Sequence, residues 1–361
     1  MTLLLLLGGL ILLAAGGELL VRGAAAFALS VGMTPLLVGL TVVAIGTSAP
    51  EAAVSIDAAI GGSPELALGN VIGSNIANIL LVLGLSALIA PLTVEKRLVR
   101  IDLPVMVALS LLTWLLAADG GLTRGEGGLL LGLVLAYGVV TVIAARRRPA
   151  AIGVSAAEAK SLPVSTGWRF RLGNLLLVGL GIVLLIIGAG WLVEAATDIA
   201  LTLGISEIVV GLTVVALGTS LPELATSLIA TARGQRDLAV GNVVGSNIAN
   251  LGLVLGLSAL VAAGGIPVPD SVLLFDLPFM VAVALAALPI ALTGFVIARW
   301  EGAFFVGYLI AYVLYLWLDS TGYERIDAFS SVVFGFVLPL IVGTIVLVAA
   351  FEWRSRRRQS V

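Results

Sequence analysis

The chain has 361 residues, of which 60% are hydrophobic and 11% are charged, and its formal net charge is −2. Soluble domains carry about 25% charged residues, so this composition excludes a soluble globular protein and gives no indication of a nucleic-acid partner. Cysteine and histidine are absent, which excludes disulfides, thiolate metal sites and imidazole proton switches and leaves only oxygen ligands for an ion.

Apolar runs long enough to cross a bilayer as helices recur along almost the whole chain. They predict eleven membrane spans, near residues 3–22, 34–60, 67–90, 100–118, 126–145, 172–194, 206–232, 238–262, 272–293, 296–318 and 329–351. The first run is also compatible with a cleaved signal peptide. Because the first basic residue, Arg22, follows this run instead of preceding it, we favour a retained span.

Basic residues are distributed unevenly between the two sides of the predicted membrane. If successive loops alternate sides, one side has 17 of the 19 Lys and Arg residues, and the other has only Arg124 and Arg325. Cytoplasmic loops are enriched in Lys and Arg. We therefore expect the N-terminus outside and the C-terminus in the cytoplasm.

The sequence contains an internal duplication. GLTVVAIGTSAPEAAVS at 39–55 returns as GLTVVALGTSLPELATS at 211–227, and GNVIGSNIAN at 69–78 returns as GNVVGSNIAN at 241–250. The blocks share 13 of 17 and 9 of 10 residues at a constant offset of 172, far more than unrelated apolar segments would share. IDLP at 101–104 and FDLP at 275–278 extend the repeat.

The duplication predicts an all-α membrane protein made of two inverted five-helix repeats, with ten core transmembrane helices and one extra C-terminal transmembrane helix. An odd number of spans in each copy inverts the second copy in the bilayer. The expected units are the first repeat at 1–145, a basic cytoplasmic linker at 146–171, the second repeat at 172–318, and the extra helix with a basic tail at 319–361. Inverted repeats are typical of secondary transporters that bind substrate between the copies near the bilayer midplane.

Spans 2 and 7 each carry a glutamate near the middle of an apolar run, Glu51 and Glu223, directly after a proline. An intramembrane carboxylate indicates a functional site. Proline breaks the helix and frees preceding carbonyls, near residues 44–47 and 216–219, to face an ion. The alternative is a proline kink in which Thr and Ser satisfy the backbone and each glutamate is protonated.

Spans 3 and 8 place amides and hydroxyls on one helix face by i, i+4 spacing, at residues 70, 74 and 78 and at 242, 246 and 250. Their neutral oxygens favour ligand roles for Ser74, Asn78, Ser246 and Asn250, whereas Asn70 and Asn242 are weaker candidates. The neighbouring glycines favour close helix packing. Asp102 and Asp276, each two residues before a proline, are expected to cap spans 4 and 9.

Together these groups form an all-oxygen shell that suits hard cations. Two carboxylates neutralise one Ca²⁺, whose flexible coordination fits bent helices better than the strict geometry of Mg²⁺ does. The same shell could take Na⁺ instead. A site that holds either one divalent ion or monovalent ions is the minimal chemistry of an exchanger.

The paired G-T-S-x-P-E and G-N-V-x-G-S-N-I-A-N blocks resemble the alpha repeats of the cation/Ca²⁺ exchanger superfamily, specifically its prokaryotic sodium/calcium exchangers. The resemblance covers residues 1–318. It implies a prokaryotic plasma (inner) membrane location, alternating access and Na⁺-driven Ca²⁺ movement, with Ca²⁺ and Na⁺ as transported ions and no cofactor. Residue pattern and resemblance together give as candidate ion ligands Glu51, Glu223, Thr47, Thr219, Ser48, Ser220, Ser74, Ser246, Asn78, Asn250 and the carbonyls of Ala44 and Ala216.

This chain departs from some similar proteins at Asn250, where they have an aspartate used in K⁺ co-transport. The neutral amide disfavours K⁺ co-transport here. Three other hypotheses stay open: a Ca²⁺(cation)/H⁺ antiporter, since the same glutamates could carry protons; a cation channel; and an intramembrane carboxylate protease, which would need two aspartates. We expect a transporter embedded in lipid rather than an enzyme, and the sequence does not indicate an oligomeric state.

Overall fold

The computed structural model describes residues 1–147, 167–202, 216–292 and 294–320. Their α-helices are α1 (Thr2–Val31), α2 (Pro35–Val38), α3 (Ala44–Thr47), α4 (Ala49–Ile60), α5 (Pro64–Ala77), α6 (Gly84–Ile89), α7 (Leu103–Leu116), α8 (Arg124–Arg147), α9 (Trp168–Thr202), α10 (Ala216–Thr219), α11 (Leu221–Ala232), α12 (Arg236–Ala249), α13 (Leu255–Val261), α14 (Leu277–Leu292) and α15 (Arg299–Ser320). Wider π-helical turns occur at Gly39–Val43, Asn78–Leu83, Leu98–Asp102, Asn250–Val254 and Val272–Asp276, and a 3-10 turn at Ala117–Asp119. The short strands are β1 (Leu92–Thr93), β2 (Gly121–Leu122), β3 (Ile266–Pro267) and β4 (Val296–Ile297).

Within the described residues, seven helical segments are long and apolar enough to cross a membrane, and one bent pair makes an eighth. The bent pair is Pro35–Thr47 and Ala49–Ile60, with 44° between its two parts. Long helices dominate the described chain, in agreement with the predicted fold class. The predicted eleventh span, residues 148–166 of the linker and the start of the seventh span lie outside the described residues. The two ends of the predicted linker extend into α8, which ends at Arg147, and α9, which begins at Trp168.

Helices α1 and α9 pack closely because glycines on both helices bring the backbones into contact. A Cβ atom added to Gly16 would lie 2.8 Å from the carbonyl oxygen of Gly181, and one added to Gly181 would lie 2.7 Å from that of Gly16. Seven residues away on each helix, Gly9 and Gly188 approach each other in the same way. Small residues are what allow membrane helices to approach this closely.

Helix α9 also contacts both bent helices of the duplicated motif. The side chain of Ile182 fills the space where Gly46 lacks a Cβ atom, and Val193 does the same at Gly218. The helix direction changes just after these glycines, at Ser48 and Ser220, where ψ is 9° and 5°. Packing by α9 therefore fixes the segments that lead into the two glutamates.

Two short antiparallel ladders tie distant loops together. Leu92 pairs with Ile297, and Gly121 pairs with Pro267. Each ladder joins a loop of the first half to a loop of the second half. In both cases the two loops are ones that the alternating span order assigns to the same side of the membrane.

The expected capping role of Asp102 is wrong. The helix does not begin there but continues from the π-helical turn before it, so Asp102 has helical backbone angles and caps no N–H. Its Oδ1 instead accepts a hydrogen bond from the hydroxyl of Tyr137 at 2.7 Å. Asp276 accepts the corresponding bond from Tyr312 at 2.9 Å. These bonds fasten α7 to α8 and α14 to α15.

Candidate ion-binding site

Glu51 and Glu223 lie in the first turns of α4 and α11, directly after the two bends. Both side chains have an exposed fraction of 0%. Among the described residues, no ion pair involves either carboxylate. A helix N-terminus stabilises a nearby carboxylate only modestly, and burying an ionised carboxylate costs several kcal/mol. The described residues thus supply no positive charge that would offset these carboxylates when they are ionised.

The two halves exchange hydrogen bonds at the glutamates. Ser48 of the first half donates its hydroxyl to Oε1 of Glu223 at 3.0 Å, and Ser220 of the second half donates to Oε1 of Glu51 at 3.3 Å. Ser246 adds a second donor to Oε1 of Glu223 at 3.3 Å. Each carboxylate is thus held by a hydroxyl from the opposite copy, which places both glutamates in one centre.

Asn70 and Asn242 hold the motifs in place with all of their polar atoms. Asn70 accepts a hydrogen bond from Thr219 at 3.2 Å and donates to Ser55 at 2.9 Å and to the Glu51 carbonyl at 3.3 Å. Asn242 repeats the pattern, accepting from Thr47 at 3.1 Å and donating to Ser227 and the Glu223 carbonyl at 3.0 and 3.4 Å. These contacts favour a positioning role over ion ligation for both asparagines.

Several buried polar atoms at the predicted site have no hydrogen-bond partner among the described residues. They are Glu51 Oε2, Glu223 Oε2, Ser74 Oγ, Asn78 Oδ1, and both Oδ1 and Nδ2 of Asn250. Buried polar atoms are nearly always paired, so a set of unpaired oxygens on predicted ligands indicates a place for a ligand. No cluster of three or more acidic, His or Cys side chains suited to a metal occurs in the described part of the chain.

The remaining predicted ligands lie on the short helices before the bends. The Thr47 hydroxyl contacts the carbonyl of Ala44 at 3.4 Å as well as Asn242. The Ala44 carbonyl also accepts the Ser48 N–H at 3.0 Å, so the bend leaves this helical bond in place and an ion would share the oxygen with it. Thr219 and Ala216 occupy the matching positions on α10.

A second pair of interactions beside the site was not predicted from the sequence. Asn75 donates its amide to the sulfur of Met280 at 3.7 Å, and Asn247 donates to that of Met106 at 3.5 Å. The two methionines each lie four residues after the aspartate of the IDLP and FDLP echo. Extending the comparison of these two segments by one helical turn would have identified both methionines. Ser55 and Ser227, the partners of Asn70 and Asn242, lie within the repeated blocks and could have been identified there.

The family comparison agrees with this geometry. The sequence profile described as sodium/calcium exchanger protein matches residues 1–145 and 173–318, which contain both glutamates and both sets of asparagines. The chain belongs to the sodium/calcium exchanger family. Members of this family are membrane antiporters that exchange cations, so the resemblance noted from the two motifs is confirmed. The homologues are exchangers and antiporters, which are transporters.

Individual relatives extend the comparison. The sodium/calcium exchanger MaX1 of Methanosarcina acetivorans is 33% identical over 344 residues, covering 87% of this chain and 97% of the relative. The inner membrane protein YrbG of Escherichia coli K12 is 39% identical over 73% of this chain and 80% of its own length. Among solved structures, the sodium-calcium exchanger NCX_Mj superposes with a TM-score of 0.73 at 34% identity, covering 86% of this chain and 98% of that chain.

Proposed function

We propose that this exchanger moves Ca²⁺ against Na⁺ by alternating access, with the two ions competing for one mid-membrane site formed by Glu51 and Glu223. The observation that carries the proposal is the pair of fully buried carboxylates, one from each copy, neither of which forms an ion pair with a described residue. One Ca²⁺ neutralises both charges, and Na⁺ ions can replace it.

Neutral oxygens complete the proposed shell. The hydroxyls of Thr47, Thr219, Ser48, Ser220, Ser74 and Ser246, the amides of Asn78 and Asn250, and the carbonyls of Ala44 and Ala216 supply hard ligands of the kind that Ca²⁺ and Na⁺ bind. The unpaired atoms support this assignment because they belong to five residues that the sequence had already selected as ligands. Structures of the related NCX_Mj concern ion exchange and binding-site occlusion in soaks with Na⁺, Ca²⁺ or Sr²⁺.

Exchange follows if the site opens to one side of the membrane at a time and if the protein rarely switches sides while the site is empty. When an empty site closes to both sides, its two uncompensated carboxylates are enclosed in a low-dielectric interior, which costs several kcal/mol. A loaded site carries no such penalty. Competition for a single site, combined with this penalty, couples the exit of one ion to the entry of the other.

The same carboxylates allow a second candidate function, Ca²⁺/H⁺ antiport. Protons would neutralise the unpaired carboxylate oxygens as well as Na⁺ would. The two functions differ in which gradient drives Ca²⁺ movement, so a transport assay separates them.

The experiment uses the purified full-length protein in liposomes. Vesicles loaded with Na⁺ and diluted into Na⁺-free buffer containing radiolabelled Ca²⁺, with pH clamped on both sides, are expected to accumulate Ca²⁺. Vesicles loaded with choline and given only a proton gradient are the matched control. Uptake driven by the proton gradient alone would replace Na⁺ with H⁺ as counter-ion, and uptake that needs neither gradient would indicate a channel.

A further inference from the structure

Two of the four buried asparagines at the ends of α5 and α12 form a directed hydrogen-bond chain. Asn78 donates its Nδ2 to Oδ1 of Asn247 at 3.0 Å. Asn247 in turn donates its own Nδ2 to the backbone carbonyl of Asn75 at 3.4 Å and to Sδ of Met106 at 3.5 Å. The chain crosses between the halves twice, because Met106 and Asn78 belong to the first copy and Asn247 to the second.

The orientation of the Asn247 carboxamide is fixed by what surrounds its nitrogen. A backbone carbonyl and a thioether sulfur can only accept hydrogen bonds. If the amide were turned around, its oxygen would face these two acceptors and the nitrogen would face the NH₂ group of Asn78. Both contacts would be lost inside a buried site, where an unpaired polar group costs a few kcal/mol.

The orientation of Asn247 determines that of Asn78. Because Asn247 presents an oxygen, Asn78 must present its nitrogen to it, and Asn78 Oδ1 is left pointing away. That oxygen is buried and has no partner among the described residues. Asn78 therefore has a buried acceptor oxygen, not a donor, left available for a ligand.

We propose that Met106, Asn247 and Asn78, here called the amide relay, position an oxygen ligand for the transported cation. Met106 and Asn247 act as positioning residues that hold the carboxamide of Asn78 with its oxygen toward the ion. The proposal rests on the proposed function, in which Asn78 is a ligand. It adds two residues, one of them an apolar methionine on α7, to the determinants of cation affinity.

The corresponding residues of the other copy do not form such a chain. Met280 contacts the amide nitrogen of Asn75 at 3.7 Å, but Asn75 Oδ1 and both polar atoms of Asn250 lack partners in the described structure. The orientation of Asn250 is therefore not transmitted from Met280. This difference between the copies provides a matched control for the relay.

The test is equilibrium binding of radiolabelled Ca²⁺ to the purified full-length protein. Met106→Leu keeps the volume of the side chain but removes the acceptor sulfur, so it is expected to weaken Ca²⁺ binding by about three- to tenfold, the range of one lost hydrogen bond. The maximal transport rate is expected to change little. Met280→Leu is expected to bind Ca²⁺ within about twofold of wild type.

A double-mutant cycle separates positioning from general disturbance of the fold. In an Asn78→Ala background no carboxamide remains to be oriented, so adding Met106→Leu is expected to cause no further loss of Ca²⁺ affinity. Equal losses from Met106→Leu with and without Asn78, or an unchanged affinity in Met106→Leu alone, would overturn the relay. Wild-type protein that binds Ca²⁺ but fails to exchange it for Na⁺ would overturn the proposed exchange and leave the relay standing. Wild-type protein that binds no Ca²⁺ would overturn both.

Discussion

At the scale of single residues, the site is defined by what is missing around Glu51 and Glu223 as much as by what is present. Each carboxylate has one oxygen bonded to serine hydroxyls and one oxygen without a partner in the described part of the chain. A structural role for these glutamates would be expected to pair both oxygens or to provide a basic side chain. The half-satisfied arrangement instead fits groups that bind and release a cation.

Neutralising either glutamate is therefore expected to abolish exchange while leaving the protein folded. Glu51→Gln and Glu223→Gln should each reduce Na⁺-driven Ca²⁺ uptake by at least about 100-fold, because a lost charged ligand at a buried site is worth several kcal/mol. Melting temperatures measured without ions should not fall, since each change removes an uncompensated buried charge. Glu65→Gln, at an exposed position on α5, is the control and should transport normally.

The candidate site was accessible from the sequence because its residues lie in the two repeated blocks. Glu51, Glu223, Ser74 and Asn78 were selected from depth and helical spacing, and the structure brings the two copies together as the repeat implies. The pairing of Asn70 with Ser55 and Thr219 could not be derived, because it depends on the distance between two bent helices. Hydrophobic periodicity contains no information on such distances.

At the scale of helices, the glycines of α1 and α9 determine how closely this pair packs. Gly181 faces the carbonyl oxygen of Gly16, whereas Gly179, half a turn away on the same helix, has no heavy atom within 4 Å of its Cβ position. Gly181→Val is expected to separate the helices and destabilise the protein by about 1–3 kcal/mol. Gly179→Val adds the same side chain without a clash. Thermal melts of the two purified variants in detergent check this, and equal melting temperatures would contradict the packing account.

The helices were predictable from the sequence, but their irregular turns were not. The proline two residues after Asp102 predicted a cap there, because that position is usual at a helix start. The chain avoids a break by opening the helix into a π-helical turn from Leu98 to Asp102. In this conformation Asp102 accepts a hydrogen bond from Tyr137, a partner 35 residues away in the sequence that local pattern does not identify.

Glu95, in the loop between α6 and α7, is expected to make the stability of the folded protein depend on pH. Burial, reinforced by the Asp237 carboxylate and opposed by Arg97, raises the pKa of Glu95 from its ordinary value of 4.5 to about 6. The folded state thus binds this proton more tightly than the unfolded chain does, so the associated stability is present below pH 4.5 and is lost as the pH rises through 6. Because Glu95 is only half-buried, we expect an effect of about 1 kcal/mol after screening by solvent.

Glu95→Gln removes this titration. At pH 7.5 the variant is expected to melt a few degrees above wild type, and at pH 4 the two melting temperatures should coincide. The measurement is thermal unfolding of the detergent-solubilised protein in buffers of equal ionic strength. A stabilisation that is the same at both pH values would show that the carboxyl proton is not its cause.

At the scale of the whole molecule, the two ladders constrain the arrangement of the loops. β1 pairs with β4 and β2 with β3, and each pair joins loops with the same predicted sidedness. The basic residues Lys96 and Arg299 flank the first ladder, while the second ladder lies beside Arg124. Loops on the same side of a membrane are separated by an even number of spans, as these loops are in the predicted span order, so the pairing supports that order. We propose on this basis, and on the charge distribution, that the N-terminus is outside and the C-terminus cytoplasmic in a prokaryotic plasma membrane.

Cysteine labelling tests this orientation, and because the chain has no cysteine, each introduced thiol is the only one in the protein that can react. Single variants Lys96→Cys and Asp119→Cys place a thiol at exposed positions in loops on opposite predicted sides. In intact cells, a membrane-impermeant maleimide is expected to label Asp119→Cys only. After the membrane is permeabilised, both should be labelled, and the reverse pattern in intact cells would invert the proposed topology.

The two-fold organisation of the molecule was predictable from the repeat, whereas its exact number of spans depends on segments beyond the described ranges. The offset of 172 that relates the sequence blocks also relates their contacts, since it converts the Ser48–Glu223 hydrogen bond into the Ser220–Glu51 hydrogen bond. The departures from two-fold symmetry were not predictable. Asn78 donates to Asn247, whereas Asn250 has no corresponding partner among the described residues, and such a difference arises from packing of the assembled halves.

In the mechanism proposed here, Ca²⁺ and Na⁺ compete for one site between the copies. The most direct measurement is equilibrium binding of radiolabelled Ca²⁺ to the purified protein at a series of Na⁺ concentrations, with choline replacing Na⁺ to hold ionic strength constant. We predict that Na⁺ raises the apparent dissociation constant for Ca²⁺ without lowering the number of sites, and that Glu51→Gln and Glu223→Gln each eliminate the bound Ca²⁺. Ca²⁺ binding that is independent of Na⁺, or that survives both substitutions, would contradict the shared site.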